Sequence, residues 1–178
     1  MKIIYIKLVV IFLIIISCIL YLLFSKTNNY KKKNIKIDSS VSYKVFKVLD
    51  GDTFQVKINK EIVTVRMLGI DTPETVDPRK GIQCYGKQAS DKTKELILGK
   101  YVLLSIDPSQ DNTDKYGRIL AYVNIKDGIL INQYLLEYGY AREYKYKFDY
   151  ERRKEFKKLE NLAKKKKIGL WGSICGSN

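Results

Sequence analysis

An α+β fold is our prediction for this chain, and three features of the sequence support it. Short stretches of alternating apolar residues predict strands, and segments with a helical spacing of apolar residues lie between and after them. The chain shows no internal repeat and no second apolar core, so one folded domain accounts for these elements. A length of 178 residues suits such a domain plus some additional sequence.

Five segments predict strands: 43–49, 53–58, 61–69, 101–107 and 118–125. The turn DGD separates the first two, and Asn59-Lys60 is a short hairpin connection between the second and the third. A five-stranded Greek-key barrel of the oligonucleotide-binding (OB) kind fits this number of strands. About three helices complete the domain: residues 84–98, a short helix near 131–138, and a last helix that begins near Asp149 as a candidate N-cap.

The N-terminal segment is apolar over residues 8–24, without a charge, and follows two lysines. It lacks the shorter apolar core and the small-residue cleavage site of a typical signal peptide, and it barely reaches the length of a membrane span. We therefore predict a signal anchor, or else a signal peptide, at 1–25, a polar tether at 26–40 and the folded domain at 41–178. Lipidation of Cys18 is an open alternative. The expected location is extracytoplasmic, either anchored at the cell surface or secreted.

The chain is strongly basic, with 33 Lys and Arg against 19 Asp and Glu. This surplus favours a polyanionic partner, either nucleic acid or anionic lipid, although a lysine-rich surface without a specific partner is the alternative. The lysine run at 164–167 fits either a solvated helix end or a nucleic-acid contact.

Cys84 and Cys175 permit one disulfide. So few cysteines and no histidine argue against a zinc site.

Two carboxylates, Asp50 and Asp52, lie on either side of one glycine in LDGDTFQV. Carboxylates this close repel each other unless a cation lies between them, so the pair suggests a metal. The site is not an EF-hand loop, because Phe54 and Gln55 occupy positions that need an oxygen ligand and the turn glycine.

A second charged cluster follows in RMLGIDTPET, which contains Arg66, Asp71 and Glu74. If the hairpin pairs these strands, Asp52 and Asp71 can approach each other and form a hard oxygen site suited to Ca²⁺. The segment DKYGR adds Arg118 at the start of another strand. Two arginines near bound calcium would stabilise negative charge that develops on a phosphodiester.

Three motifs in this order, DGDT (50–53), R-x4-DTPE (66–74) and DKYGR (114–118), resemble the staphylococcal nuclease (thermonuclease) family. The segments KGIQCYGKQAS, INQYLLEYGYA and GLW extend the resemblance, which covers roughly residues 41–172. It implies a calcium-dependent, sugar-nonspecific nuclease on an OB barrel that cuts DNA and RNA and leaves 3′-phosphate ends. We expect a monomer that also contacts a membrane through its N-terminal segment.

The resemblance implies a role for each matching position. Asp52 and Asp71 would bind Ca²⁺ directly, together with the carbonyl oxygen of Thr72, and Asp50 would act through waters on the metal. Glu74 would orient or deprotonate the attacking water, and Arg66 and Arg118 would stabilise the five-coordinate phosphate. The implied nucleic-acid contacts are Lys80, Lys115, Tyr116, Tyr144 and Tyr146. Alanine variants of the three catalytic residues are expected to fold and bind but barely cut.

A non-catalytic nucleic-acid-binding barrel at the cell surface, for example one used in DNA uptake, is the alternative function. The full set of acidic residues and arginines argues against it, because binding alone does not need them. A lysine-rich adaptor on the membrane surface would not need the acidic cluster either.

Overall fold

The computed structural model describes residues 2–28, 37–75, 81, 83–126 and 128–175. The chain forms two compact units, Met1–Lys36 and Ile37–Asn178. In the first unit, helix α1 (Lys2–Asn28) contains the segment Ile4–Tyr21, which is long and apolar enough to cross a membrane. Membrane anchors and signal sequences share this property. Most of the predicted tether, from residue 29 to 36, lies outside the described residues.

The second unit contains the predicted five-stranded barrel. The strands are β1 (Ser42–Asp50), β2 (Thr53–Ile58), β3 (Glu61–Met67), β4 (Ile70–Asp71), β5 (Tyr101–Ser105), β6 (Ile119–Ile125) and β7 (Arg142–Glu143). The barrel closes in the order β1-β2-β3-β6-β5, and its pairs are antiparallel except for the parallel pair of β3 and β6. Asn59 and Lys60 both have positive φ, as a two-residue type I′ hairpin turn requires.

Successive residues of a strand face opposite sides of the sheet, so the alternating apolar residues of these strands face the inside of the barrel. Val45, Phe54, Val65 and Leu104 are completely buried. The helices are α2 (Gly86–Ile97), α3 (Ile131–Glu137) and α4 (Arg153–Lys166), followed by a short 3₁₀ turn, Gly169–Trp171. The predicted α+β barrel with about three helices after an N-terminal apolar helix is confirmed.

The start of the last helix was predicted incorrectly. Helix α4 begins at Arg153, and its N-cap residue makes no capping hydrogen bond through its side chain. Instead of capping the helix, the carboxylate of Asp149 accepts a hydrogen bond from the Arg153 guanidinium at 2.6 Å. An acidic residue one turn before a helix can satisfy either role, and here the ion pair forms.

A small second sheet was not predicted from the sequence. Gly69 adopts a φ of 78° and ends the run that was predicted as a single strand at 61–69. The chain then leaves the barrel as β4, where Ile70 pairs with Glu143 and Asp71 pairs with Arg142 of β7. This pairing carries the tyrosine-rich segment after β7 to the side of the barrel where β4 ends.

Cys84 and Cys175 form a disulfide that joins the residues before α2 to the C-terminal segment. We expect the Cys84→Ser, Cys175→Ser double variant to lose about 2–4 kcal/mol of unfolding free energy, because the bond closes a long loop in the unfolded chain. Urea denaturation with and without a thiol reductant measures this loss. The reductant should shift only the wild-type midpoint, and equal midpoints for the oxidised wild type and the double variant would contradict the prediction.

Candidate active site

The DGD turn between β1 and β2 is held from two sides. A Cβ on Gly51 would lie 2.7 Å from the hydroxyl oxygen of Thr72, so only glycine allows Thr72 to pack this closely. On the other side, the Thr93 hydroxyl of α2 donates a hydrogen bond to the Gly51 carbonyl at 2.6 Å. The glycine between the two acidic residues therefore fixes the position of the turn against both neighbours.

Asp52 is buried beside the end of the third strand. Its Oδ2 accepts hydrogen bonds from the backbone N–H of Thr72 at 2.8 Å and from the Thr72 hydroxyl at 3.1 Å. The same oxygen lies 2.6 Å from Nη1 of Arg66, and Nη2 of Arg66 lies 2.7 Å from Oδ1 of Asp71. One guanidinium therefore bridges the two carboxylates that were predicted to meet.

Arg66 is held as a buried cation. Burial of its side chain works against the charge, but the neighbouring Asp52 and Asp71 carboxylates outweigh burial and raise the pKa of Arg66. Its Nη1 also donates a hydrogen bond to the Ile70 carbonyl at 2.9 Å. The side chain is thus fixed in place as well as charged.

Asp50 lies in a more crowded environment. Its Oδ1 accepts hydrogen bonds from the Gly51 N–H at 2.8 Å and from the Thr75 hydroxyl at 2.7 Å. Burial, with smaller effects from the Asp52 charge and a hydrogen bond to Glu74, raises the pKa of Asp50 to about 6, although the Thr75 and Gly51 bonds lower it. Two carboxyl groups share a hydrogen bond only if one of them carries a proton.

Glu74 lies at the entrance of the loop that precedes α2. Its backbone N–H donates to Oε1 of Gln83 at 3.0 Å, and its carbonyl accepts from the Gln83 N–H at 2.9 Å. The side-chain Oε1 accepts from the Thr75 N–H at 3.1 Å. These bonds hold Glu74 against Gln83, the residue before the disulfide-bonded Cys84, and its side chain also shares a hydrogen bond with Asp50.

Asp114 orients Arg118. The sequence analysis did not assign a role in the site to Asp114. The Asp114 carboxylate accepts the Arg118 Nε–H at 2.6 Å and the backbone N–H groups of Tyr116 and Arg118 at 2.9 and 3.0 Å. The signal was present in the sequence, because a short acidic side chain that opens a tight turn commonly accepts from N–H groups of that turn. The Arg118 guanidinium also lies 5.3 Å from the centre of the Tyr116 ring.

Arg66 and Arg118 both line a groove of about 670 Å³. The predicted site residues that line it are Arg66, Asp71, Lys115, Tyr116, Arg118, Tyr144 and Tyr146. Four other predicted site residues do not line the groove: Asp50, Asp52, Thr72 and Glu74. Asp52, in the DGD turn, contacts the groove residue Arg66 and also Thr72. Lys80 lies outside the described residues. Burial raises the pKa of Tyr146 to about 12, against the opposing effect of the nearby Arg66 charge.

The residues around Arg66 fit calcium by their chemistry. Among the described residues, no three or more His, Cys, Asp and Glu side chains form a ready-made metal cluster. Asp52, Asp71 and the Thr72 carbonyl are nevertheless hard oxygen donors near one strand end, as Ca²⁺ prefers. Burial and, to a smaller extent, the Asp52 charge raise the pKa of Asp50, and a bound cation nearby would favour its ionised form.

A family model described as "Staphylococcal nuclease homologue" matches residues 64–173, which contain Arg66, Asp71, Glu74 and Arg118. The chain belongs to the staphylococcal nuclease family. This membership supports a nuclease activity for the chain. Asp50 and Asp52 precede the segment matched by the staphylococcal nuclease model. Asp52 contacts this segment through Thr72 and Arg66, and Asp50 contacts it through the Thr75 hydroxyl.

Curated relatives of this staphylococcal nuclease family member include two proteins named thermonuclease. The one from Staphylococcus intermedius is 35% identical over 162 residues, covering 89% of this chain and 94% of the relative. The one from Staphylococcus hyicus is 33% identical over 149 residues, covering 84% and 86%. The SPbeta prophage-derived endonuclease YokF of Bacillus subtilis is 43% identical over 126 residues, which is 70% of this chain but 42% of that protein.

Proposed function

We propose that this protein is a calcium-dependent, sugar-nonspecific nuclease that hydrolyses DNA and RNA to 3′-phosphate products. The observation that carries the proposal is the groove lined by Arg66, Arg118 and Asp71, with the Asp52 carboxylate behind it on the same Arg66 guanidinium. Cations on the wall of a groove can bind phosphate oxygens, and hard oxygen donors beside them can hold a divalent cation. Family membership supports the same activity.

In this proposal Asp52, Asp71 and the Thr72 carbonyl would hold the calcium ion, and Asp50 would contribute through hydrogen bonds to water molecules on it. Calcium bound there would supply positive charge to the phosphate oxygens and neutralise part of the acidic cluster. The protein itself must fix these donors in place. Thr72 and Arg66 hold Asp52, and Thr75 holds Asp50.

Glu74 accepts a proton from the attacking water, whose oxygen forms the new bond to phosphorus. The bond from phosphorus to the 5′ oxygen breaks, and that oxygen takes up a proton and leaves as a hydroxyl, so the phosphate stays on the 3′ side. Arg66 and Arg118 donate to the phosphate oxygens as their negative charge increases. Asp114 keeps the Arg118 guanidinium directed into the groove.

The N-terminal unit is proposed to be a signal anchor at 1–25 followed by a tether at 26–40, with the nuclease domain at 41–178 held outside the cytoplasm as a monomer. The apolar α1 helix and the disulfide support this location, because disulfides persist in oxidising compartments. Cleavage of a signal peptide or lipidation of Cys18 would give a different mature N-terminus. Mass spectrometry of the mature protein distinguishes the three outcomes.

The test of the proposed function uses the full chain in a mild detergent, with plasmid DNA and with RNA. Both substrates should be cut in calcium, and cutting should stop when a chelator removes the metal. Activity that survives chelation would overturn the calcium assignment. Binding without cutting in either condition would show that the protein is a nucleic-acid-binding barrel instead.

Calcium affinity is expected to fall as the pH drops from 7 to 5. The pKa of Asp50 is raised to about 6, so below this pH its carboxyl carries a proton and no longer contributes a negative charge beside the calcium site. The fall should steepen below pH 6, to at most a factor of about 10 per pH unit, and then level off at the affinity of the protein with Asp50 protonated. The chain has no histidine, which removes the usual source of titration in this range.

Calorimetric titration with calcium at each pH measures this effect. The Asp50→Asn variant is the matched control: it should bind calcium more weakly than the wild type but with an affinity nearly independent of pH. An equal slope in both proteins would contradict the assignment of the proton to Asp50.

A further inference from the structure

Three exposed aromatic rings line the groove. The exposed fractions are 71% for Tyr116, 43% for Tyr144 and 53% for Phe148. The two tyrosines belong to the nucleic-acid contacts implied by the sequence, whereas Phe148 does not. Its ring has no polar group to interact with water, so an exposed phenylalanine in a groove is more informative than an exposed tyrosine.

The backbone that carries Phe148 is fastened to the loop after β5. The side-chain amide of Gln110 donates to the carbonyls of Phe148 at 3.4 Å and Asp149 at 3.1 Å. The Ser109 hydroxyl also donates to the Asp149 carbonyl, at 3.2 Å. The ring is therefore presented to the groove from an anchored segment.

Two of these three rings have a lysine beside them. Nζ of Lys147 lies 4.9 Å from the centre of the Phe148 ring, and Nζ of Lys115 lies 5.0 Å from the centre of the Tyr116 ring. A single nucleic-acid strand repeats the complementary pair, because every nucleotide offers a flat base for an aromatic face and a phosphate for a cation. A paired duplex hides the faces of its bases and cannot use such rings.

We propose that Phe148 is a base-stacking platform for a nucleotide of a single-stranded substrate beyond the one whose phosphate is cut. The proposal rests on the proposed nuclease function and adds to it a contact with the base of one further nucleotide. Lys147 binds the phosphate of the stacked nucleotide, and Gln110 positions Phe148 by holding its backbone.

The experiment measures binding of labelled oligothymidylate to the full chain in detergent with calcium. All proteins carry Glu74→Gln so that the strand stays intact. Phe148→Ala should bind the oligomer roughly 5- to 100-fold more weakly, since each stacked base contributes about that factor. Phe148→Trp should restore binding, because tryptophan supplies an equivalent ring. The matched control is Phe46→Ala, which removes a phenylalanine that is 43% exposed and does not line the groove.

An abasic oligomer of the same length isolates the role of the base. It keeps the phosphates, so Phe148→Ala should bind it as well as the parent protein does, and the same should hold for a blunt duplex. Unchanged oligothymidylate binding in Phe148→Ala, or an equal loss on the abasic strand, would overturn the stacking role. A parent protein that binds no nucleic acid would overturn the proposed function itself, which is a separate result.

Discussion

Replacing Arg66 with alanine is expected to lower both stability and activity. The guanidinium is buried and neutralises Asp52 at 2.6 Å and Asp71 at 2.7 Å. Its removal leaves the buried Asp52 carboxylate beside Asp50 without a compensating charge, and breaking a buried pair in this way costs about 3–5 kcal/mol. We also expect kcat to fall by about 10²–10³, since a donor to the phosphate is lost.

Chemical denaturation in chelator and in calcium measures the first effect. Calcium should recover part of the lost stability, because a bound cation compensates the charge of the same carboxylates. Arg152→Ala is a suitable control: Arg152 forms an exposed pair with Glu155, so its loss should cost less than about 1 kcal/mol. A metal-free Arg66→Ala protein as stable as the wild type would contradict this account of the buried bridge.

Replacing Arg118 with alanine is expected to remove activity while the fold remains intact. The side chain lines the groove and is 28% exposed, whereas the side chain of its partner Asp114 is 5% exposed, so loss of the ion pair is expected to cost more stability than loss of a surface pair without unfolding the domain. Asp114 keeps its two backbone donors, Tyr116 and Arg118, in the variant. We expect kcat to fall by about 10²–10³ because the charge that develops on the phosphate loses one of its two guanidinium donors.

Single-turnover cleavage at saturating calcium measures the Arg118 effect separately from substrate binding. Asp114→Asn keeps the arginine but weakens its orientation, so its rate should lie between those of the wild type and Arg118→Ala. Arg152→Ala, an arginine outside the groove, should cut at the wild-type rate. Near wild-type turnover in Arg118→Ala would show that this arginine has no role in the chemical step.

Arg66 illustrates where reasoning from the sequence was incomplete. The R-x4-DTPE motif predicted a catalytic arginine whose alanine variant folds normally. A sequence motif does not show whether the side chain is buried. In the structure the strand end turns Arg66 inward, between Asp52 and Asp71. The same side chain is therefore expected to contribute to stability as well as to catalysis, and the expectation for its variant changes accordingly.

Local patterns were sufficient for the elements of the barrel. The hairpin at Asn59-Lys60, the strands on both sides of it and the helix after Cys84 follow from the alternation or the spacing of apolar residues over a few positions. The charged motifs are also short segments, which is why the acidic pair around Gly51 and the arginine of DKYGR were identified from the chain alone.

Contacts between distant segments required the folded molecule. The spacing of apolar residues does not indicate that β4 leaves the barrel to pair with β7. The segment that follows β7 nevertheless lines the same groove as Arg66, through Tyr144, Tyr146 and Phe148. The ion pair between Arg66 and Asp52 of the DGD turn also could not be read from local spacing. Such contacts depend on how strands from distant parts of the sequence pack around one core. The free energy of that packing belongs to the whole domain, so no short segment of the chain determines it.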